Sequence, residues 1–116
     1  MKLNPIGAKQ VEDGPWFYYH DNGQLWEKGD YKDGKEDGTW FYYHDNGQLW
    51  IKGDWKDGKE DGPWVSFHDN GQLRSGGDYR DDRREGPWVY YDYNGTKNWS
   101  LSGTYRNGEK VGEGEQ

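Results

Sequence analysis

Apolar and polar positions along this chain recur every 24 residues. Asp13 to Glu36 reads DGPWFYYHDNGQLWEKGDYKDGKE, and Asp37 to Glu60 repeats it with Thr39 for Pro15, Ile51 for Glu27 and Trp55 for Tyr31. A third copy, Asp61 to Arg84, keeps Gly62, Trp64, Asn70-Gly71, Leu73, Gly77 and Tyr79, but carries Asp81-Asp82-Arg83 where the first two have Asp-Gly-Lys. A fourth, from Glu85, keeps Gly86, Pro87, Trp88, Asn94-Gly95, Gly103 and Tyr105, and gains two residues within Thr96 to Ser102. That insertion should widen a loop or bulge a strand. The expected organisation is one repeat domain over 13–112, in units 13–36, 37–60, 61–84 and 85–110, with a partial repeat or cap at 1–12 and a tail at 113–116. Val111-Gly112 reads as the opening of a fifth unit that stops.

Each unit holds two strand-like runs between two turn signals. Trp16 to His20 has high β-propensity and Gln24 to Lys32 is long enough to pair with it, while Asp21-Asn22-Gly23 and Asp33-Gly34-Lys35 supply turn chemistry. Gly or Pro interrupts every window of helical length, so the prediction is an antiparallel meander with two strands per unit.

The tight turn decides which side chains share a face. A two-residue type I′ turn at Asn22-Gly23 places Trp16, Tyr18, Leu25, Gly29 and Tyr31 together. A type I turn closed by a left-handed glycine shifts the pairing by one and swaps the faces. Position 17 is always apolar (Phe17, Phe41, Val65, Val89) and position 19 always aromatic (Tyr19, Tyr43, Phe67, Tyr91), whereas positions 18, 26 and 28 accept Ser66, Arg74 and Gly76. Buried positions accept less change in polarity, so the second register is favoured. On it the packed face holds Phe17, Tyr19, Leu25, Gly29 and Tyr31, continued by Tyr43, Leu49, Gly53, Trp55, Phe67, Leu73, Gly77 and Tyr79. The other face shows Trp16, Tyr18 and Trp26, continued by Trp40, Tyr42, Trp50, Trp64, Arg74, Trp88 and Tyr90, as candidate binding rows about 9.5 Å apart. A plainer reading, in which Trp16, Trp40, Trp64 and Trp88 pack on neighbouring units or cover glycine, carries more weight than a binding role for those four.

Composition changes this picture in two ways. Leu, Ile, Val and Phe total only 14 and the net charge is −7, a profile associated with disorder, but eight Trp and ten Tyr supply the missing apolar area. The acidic balance argues against a nucleic-acid partner. The chain has no cysteine, so disulfides and thiol chemistry are excluded. Its opening residues lack the apolar run of a signal peptide, from which a cytoplasmic location is expected, and no stretch is apolar enough to make a membrane partner expected.

Candidate chemistry is thin. His20, His44 and His68 recur in register, yet rows about 9.5 Å apart cannot share one metal ion, and a solvated histidine beside a turn is the ordinary case. Asp30, Asp33, Glu36 and Asp37 crowd a turn, but Tyr31 breaks the alternation that a calcium loop needs. Every polar candidate is copied at fixed period, which is unlike the single asymmetric cluster of an enzyme. No catalytic residue, metal or cofactor is therefore expected.

Gly14, Trp16, Tyr19, Asn22-Gly23, Leu25, Gly29, Tyr31, Asp33-Gly34-Lys35 and Gly38 form a pattern that resembles the bacterial variant of the MORN (membrane occupation and recognition nexus) repeat. The resemblance covers residues 13 to about 112. It implies an all-β fold, an elongated, twisted, single-layer antiparallel meander, and an antitoxin or immunity component that binds a toxin. Other MORN proteins are scaffolds or lipid-proximal modules. Gly38-Thr39-Trp40-Phe41-Tyr42-Tyr43 followed by Asn46-Gly47-Gln48-Leu49 is also similar to choline- and glucan-binding repeats, whose aromatics cage cations or stack sugars. The leading expectation is a non-catalytic protein-binding surface. Edge-to-edge self-assembly comes second, and carbohydrate or choline binding third.

Overall fold

A glycine-closed turn and a glycine-matched tryptophan set the register of every hairpin. The computed structural model describes residues 2–3 and 13–113, so most of the expected cap at 1–12 and tail at 113–116 lies outside the described residues. Among these, eleven strands form one open sheet. They are β1 (Lys2–Leu3), β2 (Gly14–Tyr19), β3 (Leu25–Lys32), β4 (Lys35–Glu36), β5 (Gly38–Tyr43), β6 (Leu49–Lys56), β7 (Lys59–Phe67), β8 (Leu73–Arg80), β9 (Arg83–Tyr90), β10 (Gly103–Arg106) and β11 (Glu109–Glu113). Neighbours follow chain order, with β4 as a short extra partner of β3. All pairs are antiparallel except β1, which runs parallel to β2 with Lys2 beside Trp16. The sheet is a single layer in a molecule 46 × 30 × 19 Å.

The first turn of each unit is the three-residue form. His20 N donates to Gln24 O at 2.8 Å, Gly23 N donates to His20 O at 3.0 Å, and Gly23 has φ 88°. This turn alone would shift the register by one, but a second irregularity follows. Tyr18 pairs with Glu27 and Tyr19 with Leu25, so Trp26 is an extra, bulged residue, as are Trp50 and Arg74 in the next two units. The two shifts cancel, and Trp16 comes to face Gly29.

The favoured face assignment is therefore corrected. Trp16, Tyr18, Gly29 and Tyr31 share a face, and this face is the packed one: Trp40, Trp64 and Trp88 are 1%, 9% and 3% exposed. Gly53, Trp55, Gly77 and Tyr79 belong to it as well. Phe17 lies on the reverse, opposite Lys28. Tyr19 (41% exposed) and Leu73 (36%) are exposed, and Leu25, Tyr43, Leu49 and Phe67 are only half-buried. The physical reason is area: an indole removes more apolar surface from water than any other side chain, so the register that buries the tryptophans wins.

The second turn is a two-residue type I′ loop. Asp33 and Gly34 both have positive φ (52° and 77°), as do Asp57-Gly58, Asn107-Gly108 and the glycine-free Asp81-Asp82 (48° and 69°). Asp82 holds this left-handed conformation while its carboxylate accepts from Glu60 N at 2.8 Å. The fourth-unit insertion forms a loop between β9 and β10 and shortens the returning strand to four residues.

Candidate interaction surface

The packed face is built from one contact repeated three times. Trp40 lies across Gly29, Trp64 across Gly53 and Trp88 across Gly77, each indole occupying the space a Cβ would need. Each indole N–H donates to the carbonyl of the residue after that glycine: Trp40 to Asp30 at 3.2 Å, Trp64 to Asp54 at 2.9 Å and Trp88 to Asp78 at 2.8 Å. Each of these three thus satisfies its one polar atom on the preceding unit while covering it. Between them Tyr31, Trp55 and Tyr79 stand edge-on, with ring centroids 5.1–5.6 Å apart along the row Tyr31–Trp40, Trp55–Trp64, Trp64–Tyr79 and Tyr79–Trp88. A tyrosine two residues on stacks above three of the four tryptophans: Tyr18 on Trp16, Tyr42 on Trp40 and Tyr90 on Trp88.

The histidines tie units together and are not the solvated side chains expected beside a turn. His20 Nε2 donates to Tyr43 O, His44 to Phe67 O and His68 to Tyr91 O, at 2.8, 2.8 and 2.9 Å. A carbonyl only accepts, so Nε2 carries the proton in each. Asn22, Asn46 and Asn70 make matching bonds to Asp45 O, Asp69 O and Tyr93 O. Among the described residues no three metal-capable side chains come together.

What remains accessible on this face is its rim at the turn end. The bulge turns Trp26 toward the tryptophan side, where it meets Tyr18 and stacks on His20 at 4.8 Å. Trp50 stacks likewise on His44. Trp26 is 38% exposed and Arg74, in the same position of the third unit, is exposed too. Of the residues expected to bind, Trp26 and Arg74 are exposed, Trp16, Tyr18, Tyr42, Trp50 and Tyr90 are half-buried, and Trp40, Trp64 and Trp88 are buried. The reverse face carries Phe17, Phe41, Val65 and Val89, with Lys28 and Lys52 both over the Phe41 ring. Shallow hollows of about 190 and 310 Å³ lie along it, the second between Thr39, Lys52, Asp54 and Pro63.

Glu27 is a half-buried carboxylate on the aromatic face, where it accepts from Trp16 Nε1 at 3.1 Å. Burial raises its pKa above the ordinary 4.5, the Trp16 bond opposes this, and Glu36 adds to it. The folded chain therefore takes up this proton at higher pH than the unfolded chain. Stability rises as pH falls from neutral through the raised value toward 4.5. Glu27→Gln should unfold at higher urea than the native chain at pH 7, with the gap closing near pH 4.5. A gap that widens on acidification would contradict this.

These features define an open, single-layer array of β-hairpins held by tryptophan-on-glycine contacts between units. The MORN repeat variant profile matches residues 12–33, 36–57 and 60–81, and the chain belongs to that family. No curated protein matches the chain. MORN repeats are protein- and membrane-binding modules, and the repeat itself is not an enzyme.

Proposed function

We propose that this chain is a non-catalytic module that binds a protein partner along the rim of its aromatic face, through Tyr18, Trp26, Tyr42, Trp50, Arg74 and Tyr90. The observation that carries the reading is a rim on which Trp26 and Arg74 are exposed beside the half-buried Tyr18, Tyr42, Trp50 and Tyr90, while Trp40, Trp64 and Trp88 are already consumed in packing. These three residue types supply most of the energy in protein interfaces, because they bury large area at low entropic cost. A toxin held by an antitoxin or immunity chain is one partner of this kind. Choline or glycan binding is less well supported, since Trp40 and Trp88 are buried beneath stacked tyrosines and each of the three inner indoles has one face laid on a glycine of the preceding unit. Self-assembly is also less well supported, because the edge strand β11 carries Glu109, Lys110 and Glu113, charges that discourage a further strand.

The test is a pull-down from the native cell with the intact chain and with Trp26→Ser/Trp50→Ser/Arg74→Ser. These side chains are at the rim, so the variant should remain folded. The intact chain should retain one protein in stoichiometric amount, and the variant should lose it. Equal retention by both would place the contact elsewhere.

A further inference from the structure

Across the aromatic face, one level above the tryptophans, the paired strands bring Tyr18, Glu27, Tyr42, Ile51, Ser66, Ser75 and Tyr90 into a single row. Large side chains fill this row except at Ser66 and Ser75, which are neighbours in the third unit. In units one, two and four a tyrosine stacks on the tryptophan two residues before it. In the third unit Trp64 has Ser66 in that place, so its upper face has no ring of its own. Trp64 is accordingly 9% exposed, against 1% for Trp40 and 3% for Trp88.

The gap is a cavity of about 250 Å³, walled by Ile51, Tyr79, Trp88 and Tyr90, floored by Trp64 and the two serines, and bordered by Glu60 and Arg74. A cavity of about 150 Å³ suffices for benzene. The serine hydroxyls bond each other, so the floor presents no unsatisfied group that demands water.

Arg74 adds charge selectivity. It replaces the tryptophan of the first two units at the bulge and lies between this cavity and a second one of about 230 Å³ lined by His44, Trp50, Phe67, His68, Asp69 and Tyr93. Glu60 and Asp69 are the carboxylates that line the two cavities. Among the described residues the one ion pair is Lys110–Glu113, so neither carboxylate stands within contact distance of the Arg74 guanidinium.

We infer that the third unit is a socket for one aromatic side chain of a protein partner: the ring stacks on Trp64 in place of the missing tyrosine, and a carboxylate on the adjacent partner residue pairs with Arg74. This rests on the reading of the chain as a protein-binding module, and it names the anchor point of that surface. Glu60 faces the same space and is available to accept a phenolic hydroxyl.

The experiment titrates the whole chain with blocked dipeptides, acetyl-Asp-Tyr-amide, acetyl-Asn-Tyr-amide and acetyl-Asp-Ala-amide, and follows the Ser66 and Ser75 amides and the Arg74 Nε–H by NMR. The Asp-Tyr probe should bind weakly, at roughly millimolar Kd, as expected for so few atoms. Asn-Tyr should bind about two- to fivefold more weakly, the range of an exposed ion pair, and Asp-Ala should leave these signals unmoved. Arg74→Met should equalise the two tyrosine probes. Ser66→Tyr restores the ring of the other units, so it should raise the melting temperature and abolish binding, while Ser66→Ala keeps the cavity and should bind as the native chain does. Binding by Ser66→Tyr at native strength, or no response of the native chain to either tyrosine probe, would overturn the socket. Neither result bears on whether the rim variant loses its partner in the pull-down, so the two readings fail separately.

Discussion

Gly77→Ala should destabilise the fold by about 3–5 kcal/mol, the cost of losing a packed tryptophan, while Gly76→Ala, one residue earlier, should change stability by less than about 1 kcal/mol. A Cβ on Gly77 would fall inside the indole of Trp88, against Cγ, Cδ2 and Cε2. The ring cannot move aside without giving up its bond to Asp78 O, and it is 97% removed from solvent where it lies. Gly76 points to the reverse face, its nearest neighbour would be Trp64 O at 3.9 Å, and its equivalents are Lys28 and Lys52. Alanine there fits the backbone and lowers the entropy of the unfolded chain. Folded domains are stable by only about 5–15 kcal/mol, so the first change should bring the urea midpoint down steeply and the second should leave it near its starting point. Equal midpoints for the two variants would contradict the nesting of tryptophan on glycine.

The second large effect compares faces. Trp40→Ala should lose about 3–5 kcal/mol, since Trp40 is 1% exposed, bonded to Asp30 O and flanked by Tyr31 and Tyr42. Tyr43→Ala, half-buried on the reverse side, should lose about 1 kcal/mol. The register favoured from sequence predicts the opposite order, so urea unfolding of the pair discriminates between them directly.

That reversal shows where sequence reasoning reached and where it stopped. The period, the two strands per unit and both turns follow from glycine, Asn-Gly and Asp-Gly at fixed spacing, and these are local properties. The three-residue turn at Asp21-Asn22-Gly23 was legible in the same way. The bulge at Trp26 was not, because nothing about a lone tryptophan next to Leu25 marks it as unpaired. One missed residue exchanged the faces, since side chains alternate with a period of two. In the sequence, Ser66, Arg74 and Gly76 mark positions 18, 26 and 28 as a tolerant, solvent-facing row. Ser66 is in fact 8% exposed, and its difference from Tyr18, Tyr42 and Tyr90 marks a gap in a packed row. Variation between copies has two physical meanings, exposure and specialisation, and only the partner strands distinguish them. The histidines were similarly opaque, as their acceptors are carbonyls 23 residues away in the next unit. Asp81-Asp82, by contrast, keeps the left-handed turn without a glycine, because aspartate tolerates positive φ, and the Asp82 carboxylate accepts from Glu60 N in the preceding unit.

The claim that the rim of the aromatic face, and not its reverse side, meets a partner is tested most directly by fluorine NMR of the chain labelled with 5-fluorotryptophan, titrated with the protein retained in the pull-down. The account predicts that the Trp26 and Trp50 resonances shift or broaden on binding while that of Trp40, sealed between units, stays in place. Unmoved Trp26 and Trp50 signals at saturating partner would contradict it.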